Sequence, residues 1–210
     1  MSDGLDSGVY LAIPYDPERG GPEKTASVVR QLASNPRWFS AAGDEEARLQ
    51  AAFWVLHHPD HLVWEVWRGE DLVGILLLTR ITPNVDALMH FAFFDGHLVG
   101  KVGMLRRFLQ YCFEDLHFQR LTMEVPDDVP TMVSFARRKL AFRYEGEALD
   151  HPLVADIRRL LGQRMPRPLT WISSRGSRKE RAHWRDGTLI DLVCLRLTAP
   201  EFLGARPGVL

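Results

Sequence analysis

Hydrophobic positions recur along the chain with two different periods, which predicts a protein of mixed strands and helices. Apolar residues spaced three and four apart predict amphipathic helices, and short apolar or alternating runs bounded by glycine and proline predict strands. In chain order the pattern predicts a strand, two helices, three antiparallel strands, a helix, a strand, a helix and a closing strand, at residues 9–13, 23–33, 44–56, 62–68, 72–81, 87–94, 101–116, 119–125, 134–142 and 188–197. We expect residues 1–210 to form one domain.

The middle of the chain predicts a β-α-β unit. The strand at 87–94 leads into a turn that contains Gly100 and Gly103, and a helix and the strand at 119–125 follow. Two strands joined through a helix run parallel, and we expect these two to splay apart around the Gly100 turn. The fold class is therefore α/β (α+β), with a mixed, mostly antiparallel sheet of about seven strands, flanked by helices, around this unit.

The turn before this helix has the composition of a phosphate site. The first amide groups of a helix lack partners and lie at the positive end of its dipole, so they attract anions. Gly100 and Gly103 would let a ligand approach the backbone, and Lys101 places a cation where an anion should lie nearby. The alternative is that the two glycines only make a strand-to-helix turn.

From this turn onward, the residues resemble a known family. The register His97, Leu98, Val99, Gly100, Lys101, Val102 is similar to the acyl-CoA loop of the Gcn5-related N-acetyltransferases, although only the first glycine of that motif matches. The segments 105–125 and 143–146 resemble the following helix, strand and later strand start, with Ala141 in place of the usual glycine. The resemblance implies an enzyme that moves an acetyl group from acetyl-CoA to a primary amine of a small molecule or protein.

The resemblance also assigns cofactor-binding positions and shows two departures. The implied positions lie at the end of the strand and in the turn: Ala92, Phe93, Phe94, His97, Val99, Gly100, Lys101, Val102 and Gly103. The tyrosine that serves many members as general acid falls on Arg137, which stays protonated at neutral pH, and a frequent asparagine falls near Pro130. The usual acid is therefore absent.

Acetyl transfer to an amine requires a base that removes a proton and a donor for the departing thiolate. His90 has a suitable intrinsic pKa, and Glu65 and Asp86 are further candidate bases. Ser134 and Tyr144 are candidate donors. Alternatively, His90 has only a structural role on an apolar strand.

A long connection at 148–187 suggests a second function. It contains a short predicted helix at 154–162. From Arg158 to Arg185 its charge is one-sided, with a single acid, Glu180, among nine basic residues: Arg158, Arg159, Arg164, Arg167, Arg175, Arg178, Lys179, Arg181 and Arg185. Residues 158–185 could contact a protein partner or nucleic acid, or form a solvated loop. With the missing motif residues, this favours the alternative of a non-catalytic binding or structural protein, as in a phage-like particle.

Composition limits the remaining classes of function. The chain is 46% hydrophobic and 25% charged, with a net charge of −1, so nothing draws it as a whole to nucleic acid or to a membrane. Cys112 and Cys194 lie in apolar runs and are read as reduced core residues, which favours the cytoplasm. No apolar run reaches the length of a membrane span. Homo-oligomer formation stays open.

The histidines between the second helix and the next strand are read as a helix end. Pro59 separates His57 from His61, so the two do not share a helical face and no metal site is expected.

Overall fold

Nine strands and five helices are present in the computed structural model, which describes residues 4–34, 44–95, 99–145, 178–185 and 188–204. Helices α1 to α5 span Gly21–Ser34, Glu45–His57, Val102–Glu114, Pro130–Leu140 and Ala199–Gly204. Strands β1 to β9 span Leu5–Asp6, Leu11–Pro14, Leu62–Arg68, Asp71–Thr82, Asp86–Phe93, Arg120–Pro126, Arg143–Tyr144, Arg178–Arg185 and Thr188–Thr198. A 3-10 turn at Val99–Lys101 precedes α3.

All nine strands join one sheet, which confirms the predicted mixed and mostly antiparallel architecture. The strand order is β1-β2-β3-β4-β5-β6-β9-β7, β8 pairs with β9, and β5 with β6 is the parallel pair. The prediction of about seven strands was too low. Strand β1 has two residues, too few to show an alternation, and β8 lies inside the basic segment that was read as part of a connection. The charged sequence of β8 does not predict a strand. Strand β8 forms because it pairs with β9 in antiparallel orientation.

The sheet opens in its middle, as predicted. Strand β5 pairs with β6 only at Asp86↔Arg120, Ala87↔Leu121 and Leu88↔Thr122. Beyond Leu88, β5 continues against β4, while β6 continues against β9. An ion pair between Asp86 and Arg120 holds the closed end. We call the gap between the diverging parts of β5 and β6 the wedge.

Two hydrophobic cores cover opposite faces of the sheet because successive strand residues point to opposite sides. Helices α3 and α4 pack on one face, where Met89 and Phe93 of β5 meet Phe108 and Ala136. Helices α1 and α2 pack on the other face against Ile75 of β4. Both cysteines, Cys112 and Cys194, are buried.

Local sequence explains how α2 and α4 begin and end. The Asp44 side chain caps α2 by accepting from the Ala47 amide at 2.8 Å. At the other end, His57 and His61 make hydrogen bonds to helix carbonyl groups, as expected for a helix end. Helix α4 begins at Pro130, four residues before the prediction, and ends at Ala141, whose φ of 63° lies in the left-handed region.

Candidate functional site

The end of β5, on one side of the wedge, lies next to the start of α3, because Phe93 and Asp95 both contact Lys101. Lys101 is the N-cap residue of α3 and makes no side-chain capping hydrogen bond there. A Cβ atom placed on Gly103 would meet no described atom within 4 Å outside its own helix turn, and one on Gly100 would lie 3.3 Å from the Tyr10 hydroxyl. The helix start therefore has open space over Gly103, where an anion could approach the backbone.

Lys101 itself does not face this space. Its side chain is 1% exposed and forms an ion pair with Asp95. The ammonium lies 4.8 Å from the centre of the Phe93 ring and 5.9 Å from that of Tyr10. Lys101 thus has an anion within the same chain, Asp95, whereas the sequence interpretation directs its charge at a ligand. The ion pair ties the residues after β5 to the start of α3.

The end of β5 is anchored on one edge and open on the other. Phe93 is buried in the α3/α4 core, whereas Ala92 and Phe94 pack toward α1 and α2. The Phe94 amide donates to the Val73 carbonyl of β4 at 3.0 Å. Beyond Leu88, no strand among the described residues pairs with the other edge of β5, so alternate backbone groups of residues 89–93 face the wedge.

Three further predicted cofactor positions lie in or beside the turn. Val99 and Gly100 belong to the 3-10 turn, and Val102 is the first residue of α3. His97 lies outside the described residues, as do the predicted helix at 154–162 and the basic residues between 158 and 175.

His90 lies on the α1/α2 face of β5, two residues beyond the point where the wedge opens. Its Nε2 atom is 3.1 Å from the Thr79 hydroxyl of β4. The pKa of His90 is lowered to about 4, mainly by loss of hydration. Arg80 and His61 also lower this pKa, whereas the Glu124 carboxylate raises it. The imidazole is therefore neutral at pH 7. Thr79, Arg80 and Glu124 belong to no sequence motif, so the sequence carries no signal for them.

Glu65 is on the same face but sealed from solvent. Its side chain is 0% exposed, and its Oε2 atom accepts from Lys24 Nζ of α1 at 2.7 Å and from Trp67 Nε1 at 3.2 Å. Its Oε1 atom has no hydrogen-bond partner among the described residues. The register Glu65↔Ile75↔Ala92 places it two strands from the end of β5, roughly 10 Å away at the usual strand spacing. Glu65 thus holds α1 against the sheet.

The two candidate donors lie elsewhere. Ser134 and Tyr144 line a cavity of about 720 Å³ between α4, β7 and β9. Arg137, which stands where the resemblance places a tyrosine, lies with its guanidinium 4.2 Å from the centre of the Tyr144 ring. The structure therefore brings Ser134 and Tyr144 together but puts His90 and Glu65 on the opposite face of the sheet.

The described residues also bear on whether the chain has a metal site or a membrane-spanning helix. Within the described ranges, no three side chains of His, Cys, Asp and Glu are grouped as ligands for a metal ion. None of the helices in those ranges is both long and apolar enough to cross a membrane.

Comparisons with known proteins give no match by sequence and several by structure. No family model matches the chain, and no curated protein matches it. A probable acetyltransferase of the GNAT family from Chromobacterium violaceum has a TM-score of 0.63 at 14% identity, over 95% of this chain and 87% of that one. The spermidine/spermine N-acetyltransferase SpeG from Vibrio cholerae has a TM-score of 0.61 at 12% identity, covering 94% and 99%.

A third similar structure contains coenzyme A. It is the ribosomal L7/L12 alpha-N-protein acetyltransferase RimL, with a TM-score of 0.63 at 10% identity over 93% of this chain and 98% of that one. Similarity at this level of identity shows the fold.

Proposed function

We propose that this chain, which has the fold of the Gcn5-related N-acetyltransferases, moves an acetyl group from acetyl-CoA to a primary amine. The observation that carries the proposal is the wedge. Within the described part of the chain, one edge of β5 has no pairing strand beyond Leu88, and the nearby start of α3 has open space over Gly103. An extended pantetheine arm can pair with that edge as a further strand would, and a pyrophosphate can bind at the helix start.

The residues around the wedge then have distinct roles. Alternate backbone groups of 89–93 hold the arm, and the first amide groups of α3 hold the pyrophosphate. The Lys101–Asp95 pair fixes the position of that helix start instead of contacting the phosphates. When bound, acetyl-CoA supplies an activated acetyl thioester.

His90 is the proposed base. It accepts a proton from the acceptor ammonium, which leaves the amine nitrogen free to form the new C–N bond while the C–S bond breaks. We assign Nε2–H as the donor to the Thr79 oxygen, so that Nδ1 keeps the lone pair that takes the proton. Glu65 is sealed and already paired, so we assign it a structural role. Ser134 and Tyr144 stay candidates for returning a proton to the thiolate.

The acceptor class is a primary amine on a small molecule or a protein. The similar structures are named for spermidine and for a ribosomal protein amino terminus, which are both amines. A non-catalytic role in an assembly is less well supported, because the similar structures are named as acetyltransferases. One observation favours the non-catalytic role: Arg137 stands in place of the usual tyrosine, and Pro130 stands in place of the usual asparagine.

Gly103 provides the sharpest test of the cofactor site. Gly103→Asp places a carboxylate in the open space, where it should leave the fold intact because an acid suits the first turn of a helix. Gly103→Asn is the matched uncharged control. We expect calorimetry to show that the wild type binds CoA and that Gly103→Asn binds it with modestly lower affinity. The affinity of Gly103→Asp for CoA should be lower than that of Gly103→Asn by a further factor of at least about ten.

Two results would refute the proposal. If the wild type binds neither CoA nor acetyl-CoA, the wedge is not a cofactor site. If it binds CoA but transfers no acetyl group to a panel of small amines and peptide amino termini, the non-catalytic alternative gains. Equal affinities of the Asp and Asn variants would place the phosphates away from α3.

A further inference from the structure

Strand β4 has an irregularity beside the proposed base. The pairing of β4 with β5 breaks register between Thr79 and Thr82. Arg80, in the break, has a φ of 48°, in the left-handed region that a non-glycine residue enters at a cost of about 1 kcal/mol. Such bulges redirect a side chain, and they are enriched next to active sites.

The bulge sends the Arg80 side chain across β5. Its Nη1 atom lies 3.1 Å from Oε1 of Glu124 on β6, although β5 stands between β4 and β6 in the sheet. The Glu124 side chain is 12% exposed and that of Arg80 is 67% exposed. The ion pair therefore spans the wedge close to its closed end, with the carboxylate largely covered and the guanidinium partly in water.

This pair is part of the surroundings of His90. Thr79 of β4 contacts the imidazole, and Arg80 of β4, Glu124 of β6 and His61 from the segment before β3 act on it electrostatically. Continuing the parallel register Leu88↔Thr122 by two residues brings Glu124 level with His90 on the same face of the sheet. A carboxylate beside an imidazole stabilises its charged form, and a guanidinium beside it does the opposite. Arg80 counters Glu124 in two ways, since it repels the imidazolium and neutralises the carboxylate.

We propose that Arg80, directed across β5 by the left-handed bulge, is a positioning residue that pairs with Glu124 so that His90 faces an ion pair and not a carboxylate alone. The inference rests on the proposed role of His90 as base. Its consequence is that the His90 imidazole stays unprotonated in mildly acidic solution and so remains available as a base. The strained conformation of Arg80 then has a function, because an unbulged β4 would not direct the side chain across β5 in this way.

The test is a set of charge variants read by two methods. Arg80→Gln should raise the pKa of His90 from about 4 by about one unit, and Glu124→Gln should lower it or leave it unchanged. Arg80→Lys, which keeps the charge, should lie close to the wild type, and Arg80→Gln/Glu124→Gln should return toward it. Arg68→Gln, which breaks an exposed ion pair of 3.7 Å to Asp71, is the control. NMR titration of His90 and the acidic limb of the kcat/KM profile are the measurements.

Each result decides the inference. It is supported if Arg80→Gln moves both the titration and the acidic limb upward while Arg68→Gln moves neither. It is overturned if the His90 titration in Arg80→Gln matches the wild type, or if Arg80→Lys shifts as far as Arg80→Gln. The titration needs no turnover, so a protein without acetyl transfer would refute the proposed function and still decide whether Arg80 controls the His90 environment. Chemical denaturation verifies that each variant is folded.

Discussion

Lys24→Met removes the counter-ion of a carboxylate that has no access to water. Glu65 is 0% exposed, and its Oε2 atom would retain the Trp67 indole as donor after the change. In the wild type, no group in the described part of the chain makes a hydrogen bond to the Oε1 atom. Breaking a buried ion pair by removing one partner costs about 3–5 kcal/mol, because the remaining charge stays desolvated. Since Lys24 is 23% exposed and water can reach its place, we expect the lower end, about 3 kcal/mol.

A double-mutant cycle separates the lost pair from lost packing. Lys24→Met/Glu65→Met replaces both charges by apolar side chains and should recover most of the deficit, since buried pairs are often replaceable by apolar residues at little cost. Urea denaturation at pH 7 measures each free energy of unfolding. Arg68→Met, at an exposed ion pair, should change stability by less than about 0.5 kcal/mol.

One result would refute this reasoning. If Lys24→Met unfolds at the same urea concentration as the wild type at pH 7, Glu65 is not a sealed carboxylate that depends on Lys24. The interpretation of Glu65 as the anchor of α1 would then be wrong, and its candidacy as a base would return.

Two further substitutions test the backbone around the site. Gly74→Ala would place a Cβ atom 2.5 Å from Phe93 Cδ1 and 2.6 Å from the Ala92 carbonyl oxygen, so we expect a loss of about 1–3 kcal/mol and weaker CoA binding by calorimetry. Full retention of both would contradict the close approach of β4 to β5. Ala141→Gly relieves an exposed residue with a φ of 63° at the end of α4 and should stabilise the protein by about 1 kcal/mol in urea denaturation. An unchanged or lower stability would argue against a left-handed Ala141.

The sequence alone determined the features that depend on neighbouring residues. Amphipathic spacing predicted α3 and the strands beside it, and the order strand, helix, strand predicted that β5 and β6 run parallel and splay. The glycine-containing turn predicted where an anion could meet the start of α3. These features are readable because period and turn chemistry act within a few residues of the chain.

Only the tertiary structure decided which distant side chains meet. The pairing of three strands and a bulge brings Thr79 to His90 and Arg80 to Glu124, and no local sequence pattern records a register break. Lys101 forms an ion pair with Asp95, and Glu65 of β3 is buried and forms an ion pair with Lys24 of α1. Contacts across strands depend on how the sheet pairs and twists as a whole, so residues with ordinary local sequences can form the environment that sets the chemistry of a site.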